Sequence, residues 1–141
     1  MQVFKVEQWM TKEVIKITKE SLVVEVAELM RKHNIGCLVV VENETPVGII
    51  SERDIIRKVV AKKKDPEHTL VEDIMSMNII SVEFGTYIKD VSEQMVKYNI
   101  KKMPVVEHGK MRGIITSTDI VRIMADFNKL YDAKDIIELG L

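Results

Sequence analysis

A glycine-isoleucine-isoleucine run that ends in a hydroxyl residue, with an aspartate three positions on, occurs twice in this sequence. The copies are Gly48-Ile49-Ile50-Ser51-Glu52-Arg53-Asp54 and Gly113-Ile114-Ile115-Thr116-Ser117-Thr118-Asp119. Ser51 with Asp54, and Thr116 with Asp119, have the spacing of a helix capping box with its acid relaxed to Asp. The same turn suits a nucleotide. Free N–H groups at a helix start fit a phosphate, and the hydroxyl adds a hydrogen bond. An Asp one turn in can accept both hydroxyl hydrogens of a ribose. An acid repels phosphate, so it would face the sugar. The two uses are compatible: the cap orders the turn and the turn holds the ligand.

Other chemistry is poorly served. His33, His68 and His108 have no metal-ligand spacing. The single cysteine, Cys37, opens an apolar run, where a free thiol usually behaves as a small hydrophobe. No nucleophile elbow, phosphate-cradling glycine loop or zinc-protease motif occurs. The expectation is a protein that is not an enzyme and carries no metal site.

The composition bounds the rest. The chain has 141 residues, 46% of them hydrophobic and 30% charged, with 21 Lys+Arg against 22 Asp+Glu. That length can bury a real core, and a net charge of −1 with this apolar content excludes disorder as the main state. Neither a basic excess nor a bank of aromatics is present for nucleic acid. The longest apolar run, Ile35 to Val41, is too short to span a bilayer, and the first residues lack a signal-peptide core. With one cysteine, a reducing cytoplasmic location is the simpler expectation.

The elements that would position the two motifs repeat with them. Shifted by 65 residues, the sequence overlays itself without a gap, and about 16 of the 50 positions from 10 to 59 are identical. A β-prone stretch, Val14–Ile17 or Ile79–Val82, opens each copy. An amphipathic helix follows, with Ser21 or Thr86 expected as its cap and Asn34 or Asn99 as its left-handed end. Continuous apolar strands come next, Cys37–Val41 and Met103–Val106, then Val47–Ile50 and Arg112–Ile115. A second helix starts at Ser51 or Thr116. The fold class is therefore α/β (α+β): two tandem β-α-β-β-α units, each too small to bury its own apolar face and expected to pack with pseudo-two-fold symmetry. The expected boundaries are 1–62 for the first repeat, 63–72 for a linker, 73–130 for the second repeat and 131–141 for a helical tail. The charged, proline-containing stretch Ala61–Thr69, with Lys62-Lys63-Lys64, reads as an exposed connector. Asp126–Gly140 is expected to continue as helix, with Phe127, Leu130, Tyr131 and Ile137 available for packing.

The doubled pattern, with Asn99-Ile100-Lys101-Lys102-Met103-Pro104-Val105-Val106-Glu107 as its most recognisable segment, resembles the cystathionine-β-synthase (CBS) domain family. The resemblance runs from about residue 6 to 130, nearly the whole chain. It implies a stand-alone CBS pair, or Bateman module, binding adenosine-containing ligands in clefts between the repeats. AMP, ADP, ATP and S-adenosylmethionine are the implied ligands. It assigns ribose to Asp54 and Asp119, and ribose or phosphate to Ser51 and Thr116. Phosphate falls to Arg53 and Thr118. The backbone of Ile15 with Ile35, Gly36 and Cys37 would frame one adenine, and that of Ile80 with Ile100, Lys101 and Lys102 the other. Arg53, Lys101 and Lys102 are the cations expected to meet phosphate. The copies depart from each other here: Gly36, Cys37 and Val39 stand opposite Lys101, Lys102 and Pro104, and Arg53 opposite Thr118. The two sites are therefore expected to differ in affinity or ligand. The resemblance further implies a homodimer and a protein partner that reads the ligand. The alternative function is a dimerisation or assembly module in which ligand is incidental.

Overall fold

A computed structural model describes residues 4–130. The expected helical tail, with Tyr131 and Ile137, lies outside the described residues. In the first copy the order is β1 (Lys16–Ile17), α1 (Val23–His33), β2 (Cys37–Glu42), β3 (Thr45–Ser51) and α2 (Glu52–Ile55), extended by a π-helical turn over Ile56–Val60. The second copy repeats it as β4 (Val82–Glu83), α3 (Ile88–Tyr98), β5 (Lys102–Glu107), β6 (Lys110–Thr116) and α4 (Ser117–Leu130). Each copy makes a mixed three-stranded sheet, ordered β1-β2-β3 or β4-β5-β6. The registers match across the duplication: Ile17 lies opposite Val40 in the first sheet and Val82 opposite Val105 in the second, both pairs parallel.

The helices form for the expected reason. Val23, Val26 and Met30 on α1, and Ile88, Val91 and Met95 on α3, are buried at the spacing of one helical face. Burying each such side chain is worth about 1.5–3 kcal/mol. Both helices end on an asparagine in the left-handed conformation, Asn34 at φ 53° and Asn99 at φ 52°. The next N–H then closes on the last turn, Ile35 to the Met30 carbonyl at 3.1 Å and Ile100 to that of Met95 at 3.0 Å.

The expected caps are displaced by one residue. Leu22 and Tyr87, not Ser21 and Thr86, sit at the N-cap positions. The Ser21 hydroxyl pairs with that of Thr18, and the Thr86 hydroxyl donates to the Glu83 carbonyl. The first helical N–H groups are satisfied from elsewhere: Val23 donates to the Thr69 carbonyl at 2.9 Å and Ile88 to that of Phe4 at 2.8 Å.

Those two bonds reflect how the chain divides. Among the described residues it forms two compact units, one of residues 14–80 with 108–111, the other of residues 4–13, 81–107 and 112–130. The segment that precedes each copy thus belongs with the other copy. In the first unit Val71 and Ile74 join Ile17, Val26, Leu38, Val40 and Ile50 in the core. In the second unit Val6, at the position equivalent to Val71, is fully buried. Glycine is required where these segments approach. A Cβ on Gly113 would come within 2.6 Å of the Met10 sulfur and 2.7 Å of the Thr11 carbonyl oxygen. On Gly48 it would meet the Met75 sulfur at 2.8 Å and the Ser76 carbonyl oxygen at 3.0 Å. The connector is exposed from Ala61 to His68, as expected, but Thr69 is buried and its hydroxyl donates to the Asp65 carbonyl.

Candidate functional site

Both aspartates close the capping box their spacing predicts. In the first unit Ser51 ends β3 in extended conformation. Its N–H donates to Asp54 Oδ2 at 3.0 Å, its hydroxyl does the same at 3.0 Å, and the Asp54 N–H returns to the Ser51 hydroxyl oxygen at 3.1 Å. In the second unit the Thr116 N–H donates to Asp119 Oδ2 at 2.9 Å, and the Asp119 N–H reaches the Thr116 hydroxyl oxygen at 3.1 Å. Both carboxylates are mostly buried, each side chain 14% exposed.

In each case the cap uses one carboxylate oxygen and leaves the other facing a cation. Asp54 Oδ1 lies 3.0 Å from the Lys58 ammonium, which also donates to the Ile74 carbonyl at 2.9 Å. Asp119 Oδ1 lies 3.7 Å from the Arg122 guanidinium. A carboxylate has about four acceptor positions. Neither aspartate is saturated, so the capping role and a hydroxyl-binding role fit on the same side chain.

The strand β2 or β5 brings its preceding residues to this turn. Cys37 pairs with Ser51 across the antiparallel ladder, and the Glu52 N–H donates to the Gly36 carbonyl at 3.0 Å. The Ser117 N–H makes the same bond to the Lys101 carbonyl at 2.8 Å. Ile35, Gly36, Cys37, Ser51, Arg53 and Asp54 are thus gathered at one end of the first sheet, and Ile100, Lys101, Lys102, Thr116, Thr118 and Asp119 at one end of the second. Ile15 is half-buried, one residue before β1 in the first unit. Ile80 belongs to the first unit, whereas Ile100, Lys101 and Lys102 belong to the second.

Part of the backbone expected to frame a base is bonded within the protein. The Ile35 and Ile100 N–H groups close the helix ends, and the Gly36 and Lys101 carbonyls take the bonds just described. Among the described residues the Ile35 carbonyl and Gly36 N–H, and the Ile100 carbonyl and Lys101 N–H, take no backbone bond. Cys37 is half-buried rather than sealed in the core.

One contact at this turn is not legible from the motif. The Glu52 carboxylate lies over Gly36, its carbon and one oxygen 3.2 Å from where a Cβ would stand. The signal was the pairing of a glycine in one copy with a lysine at the same place in the other. The first unit also carries two grooves on α1. One, of about 510 Å³, is lined by Ile17, Val24, Leu29 and the charged residues between them. The other, of about 460 Å³, runs between Ala27, Met30 and Asn34 on one side and Glu52, Ile55 and Ile56 on the other. Neither includes Ser51, Arg53 or Asp54. Among the described residues no group of three His, Cys, Asp or Glu side chains is placed to hold a metal, and no helix is long and apolar enough to cross a membrane.

The CBS domain model matches this chain twice, over residues 6–61 and 71–126. An uncharacterized protein of Methanopyrus kandleri is 39% identical over 114 residues, which cover 79% of this chain and 58% of that protein. Across three such archaeal relatives the matched part spans 33–62% of their length. The CBS domain pair of protein MJ0100, solved in complex with 5′-methylthioadenosine and S-adenosyl-L-methionine, is 32% identical with a TM-score of 0.77, covering 88% of this chain and 98% of that one. A hexameric CBS-CP12 protein from bloom-forming cyanobacteria is 28% identical with a TM-score of 0.75, covering 90% of this chain and 75% of its own. The duplicated sheet, its matched register and the two family matches make one assignment: the chain belongs to the CBS domain family and contains two CBS repeats.

Proposed function

We propose that the protein is a non-catalytic regulatory module. It binds adenosine-containing ligands such as AMP, ADP, ATP or S-adenosylmethionine and passes the change to a protein partner in the cytoplasm. The observation that carries this reading is the pair of aspartates, Asp54 and Asp119, each fixed by its cap at a sheet end with one carboxylate oxygen outside the cap. A ribose diol needs a rigid acceptor of this kind. The adenosine ligands of the MJ0100 pair support the same chemistry. Ser51 and Thr116 then contact ribose or phosphate, Arg53 and Thr118 reach phosphate, and the backbone beside Ile35 and Ile100 frames the base.

Thermal unfolding with AMP, ATP and S-adenosylmethionine tests this reading. A site filled at a hundred times its Kd adds about 2.7 kcal/mol. Asp54→Ala and Asp119→Ala should each remove the gain from the ligand held at that copy. Both also lose a cap, at about 0.5–2 kcal/mol, so ligand-free stability is measured beside it. No shift with any of the three ligands sinks the reading.

A second reading is assembly. Ile56 and Val60 after α2, and Val121 and Met124 on α4, are large apolar side chains left 47–66% exposed. Ile56 and Val121 are the same repeat position, so each repeat offers an exposed apolar side chain there to a second copy of the chain. Sedimentation of Ile56→Glu and Val121→Glu variants tests it. An unchanged oligomeric state in both removes these side chains from any contact.

A further inference from the structure

The two sheet ends carry the same capped aspartate but opposite surroundings. Around the first, residues 34–37 and 51–54 hold Arg53 against Glu52 and Asp54, a net charge of −1. Around the second, residues 99–102 and 116–119 hold Lys101 and Lys102 against Asp119, a net charge of +1. Lys58 adds a cation in the first copy, where the second has the apolar Ile123, but its ammonium is engaged by Asp54 and the Ile74 carbonyl.

The difference centres on one exchange. At the first turn Glu52 lays its carboxylate over Gly36, where a Cβ would stand 3.2 Å from the acid and the Glu52 side chain would have to give by a few tenths of an ångström. At the second turn the glycine position is Lys101 and the acid position is Ser117. The backbone link between the two positions is the same, 3.0 Å in one copy and 2.8 Å in the other. The backbone link is kept, while the side chains and the local charge change. Among the described residues Glu52, Arg53, Lys101 and Lys102 make no ion pair, so none of these charges is cancelled by a partner.

We infer that Glu52 sets ligand choice by charge: the second copy takes the phosphorylated adenosine ligand, and the first rejects phosphate and takes an adenosine ligand without it. This rests on the adenosine reading above and narrows it: Arg53 would reach a phosphate only once the Glu52 charge is removed. Glu52 acts at the first turn by repelling phosphate from the only unengaged cation there, Arg53. An uncharged or cationic 5′ substituent meets no such repulsion, and a carboxylate even favours a cationic one. At the second turn Lys101 and Lys102 supply two donors that a phosphate can use.

Calorimetry on the full chain tests this with AMP and 5′-methylthioadenosine as separate probes, on the parent and on Glu52→Ser, Asp54→Ala and Asp119→Ala. Thermal unfolding checks that each variant is folded. In the parent, Asp119→Ala abolishes AMP binding and Asp54→Ala spares it, while Asp54→Ala abolishes methylthioadenosine binding. Glu52→Ser raises AMP affinity at the first copy by on the order of tenfold, an effect that shrinks at high salt, and leaves methylthioadenosine affinity there unchanged within about twofold. AMP binding that follows Asp54, or that ignores Glu52→Ser, overturns the inference while the adenosine reading stands. If neither probe binds the parent, the adenosine reading fails and the inference fails with it.

Discussion

The stretch after Asp54 and the stretch after Asp119 start alike and then diverge. Both open with the same capping box and the same bond back to the preceding strand. After Asp119 the helix α4 runs unbroken to Leu130. In the first copy the α geometry lasts only the four residues Glu52–Ile55 and gives way to a π-helical turn, closed by the Ala61 N–H on the Ile56 carbonyl at 2.9 Å. The residue at the divergence is Lys58 in one copy and Ile123 in the other. Ile123 is buried in its unit, whereas Lys58 reaches back to Asp54 and across to the Ile74 carbonyl. One position thus holds a helix by burial in one copy and by polar contacts in the other. The comparison teaches that duplication preserves the device at the turn while the support behind it is free to change chemistry.

The largest effect should come from breaking the buried support. Ile123→Ala is expected to cost about 2–5 kcal/mol, the range for a buried isoleucine truncated to alanine. Lys58→Ala should cost about 1 kcal/mol, because its head is half exposed and its loss leaves Asp54 still held by the Ser51 cap. Urea unfolding of both variants measures the difference. Equal costs would mean that Lys58 supports its helix as strongly as a core residue does, and the contrast would collapse.

A smaller effect separates the two glycines. Gly113→Ala and Gly48→Ala both place a methyl group against a methionine sulfur and a backbone carbonyl, an overpacking cost of about 1–3 kcal/mol. The sulfur can move at the end of a flexible chain and the carbonyl cannot. Gly113→Ala, with its carbonyl at 2.7 Å rather than 3.0 Å, should therefore be the worse of the two by thermal unfolding. Truncating the sulfur neighbour alongside, as Met10→Ala with Gly113→Ala, should recover little, since the carbonyl clash remains. Full recovery would assign the strain to the side chain instead.

Much of this was readable in advance, and the exceptions share a cause. The repeat, its strand and helix order, the left-handed asparagines and both capping boxes follow from residue type and spacing within one copy. The caps of α1 and α3 escape the sequence because the carbonyls that satisfy Val23 and Ile88 come from Thr69 and Phe4, more than forty residues away in sequence. The exchange of leading segments was hidden for the same reason: Val6 and Val71 look buried from their type, but periodicity cannot say against which copy. The site residues were legible as a motif, yet the Glu52 carboxylate over Gly36 depended on a side-chain direction that no spacing encodes. The π turn at Ile56–Val60 had no sequence signal, since the same pattern runs as a plain helix in the second copy.

The smallest expected effect lies at the two helix starts. The Thr69 carbonyl that receives the Val23 N–H belongs to a turn held by Asp65, whose carboxylate accepts from the Glu67 N–H at 2.9 Å and meets His68 Nδ1 at 2.7 Å. The Phe4 carbonyl that receives the Ile88 N–H has no such pair nearby among the described residues. The hydrogen bond to Asp65 raises the His68 pKa, and the Glu67 N–H and His68 lower that of Asp65. The signs set a window. The histidine contribution is full below its unfolded value of about 6.5 and fades as pH rises through the raised folded value. The carboxylate contribution is present above about 3.9 and fades as pH falls through the lowered one. The turn is therefore best held from about pH 4 to 6.5. Both groups are exposed, so the effect is local rather than global. Hydrogen-exchange protection factors should show it, with Val23 and Val24 better protected at about pH 5.5 than at pH 8 and Ile88 indifferent. Asp65→Asn should bring the His68 titration midpoint back toward its ordinary value and flatten the response at Val23. An equal pH response at Ile88 would show that the two helix starts are governed by something they share, and not by this turn.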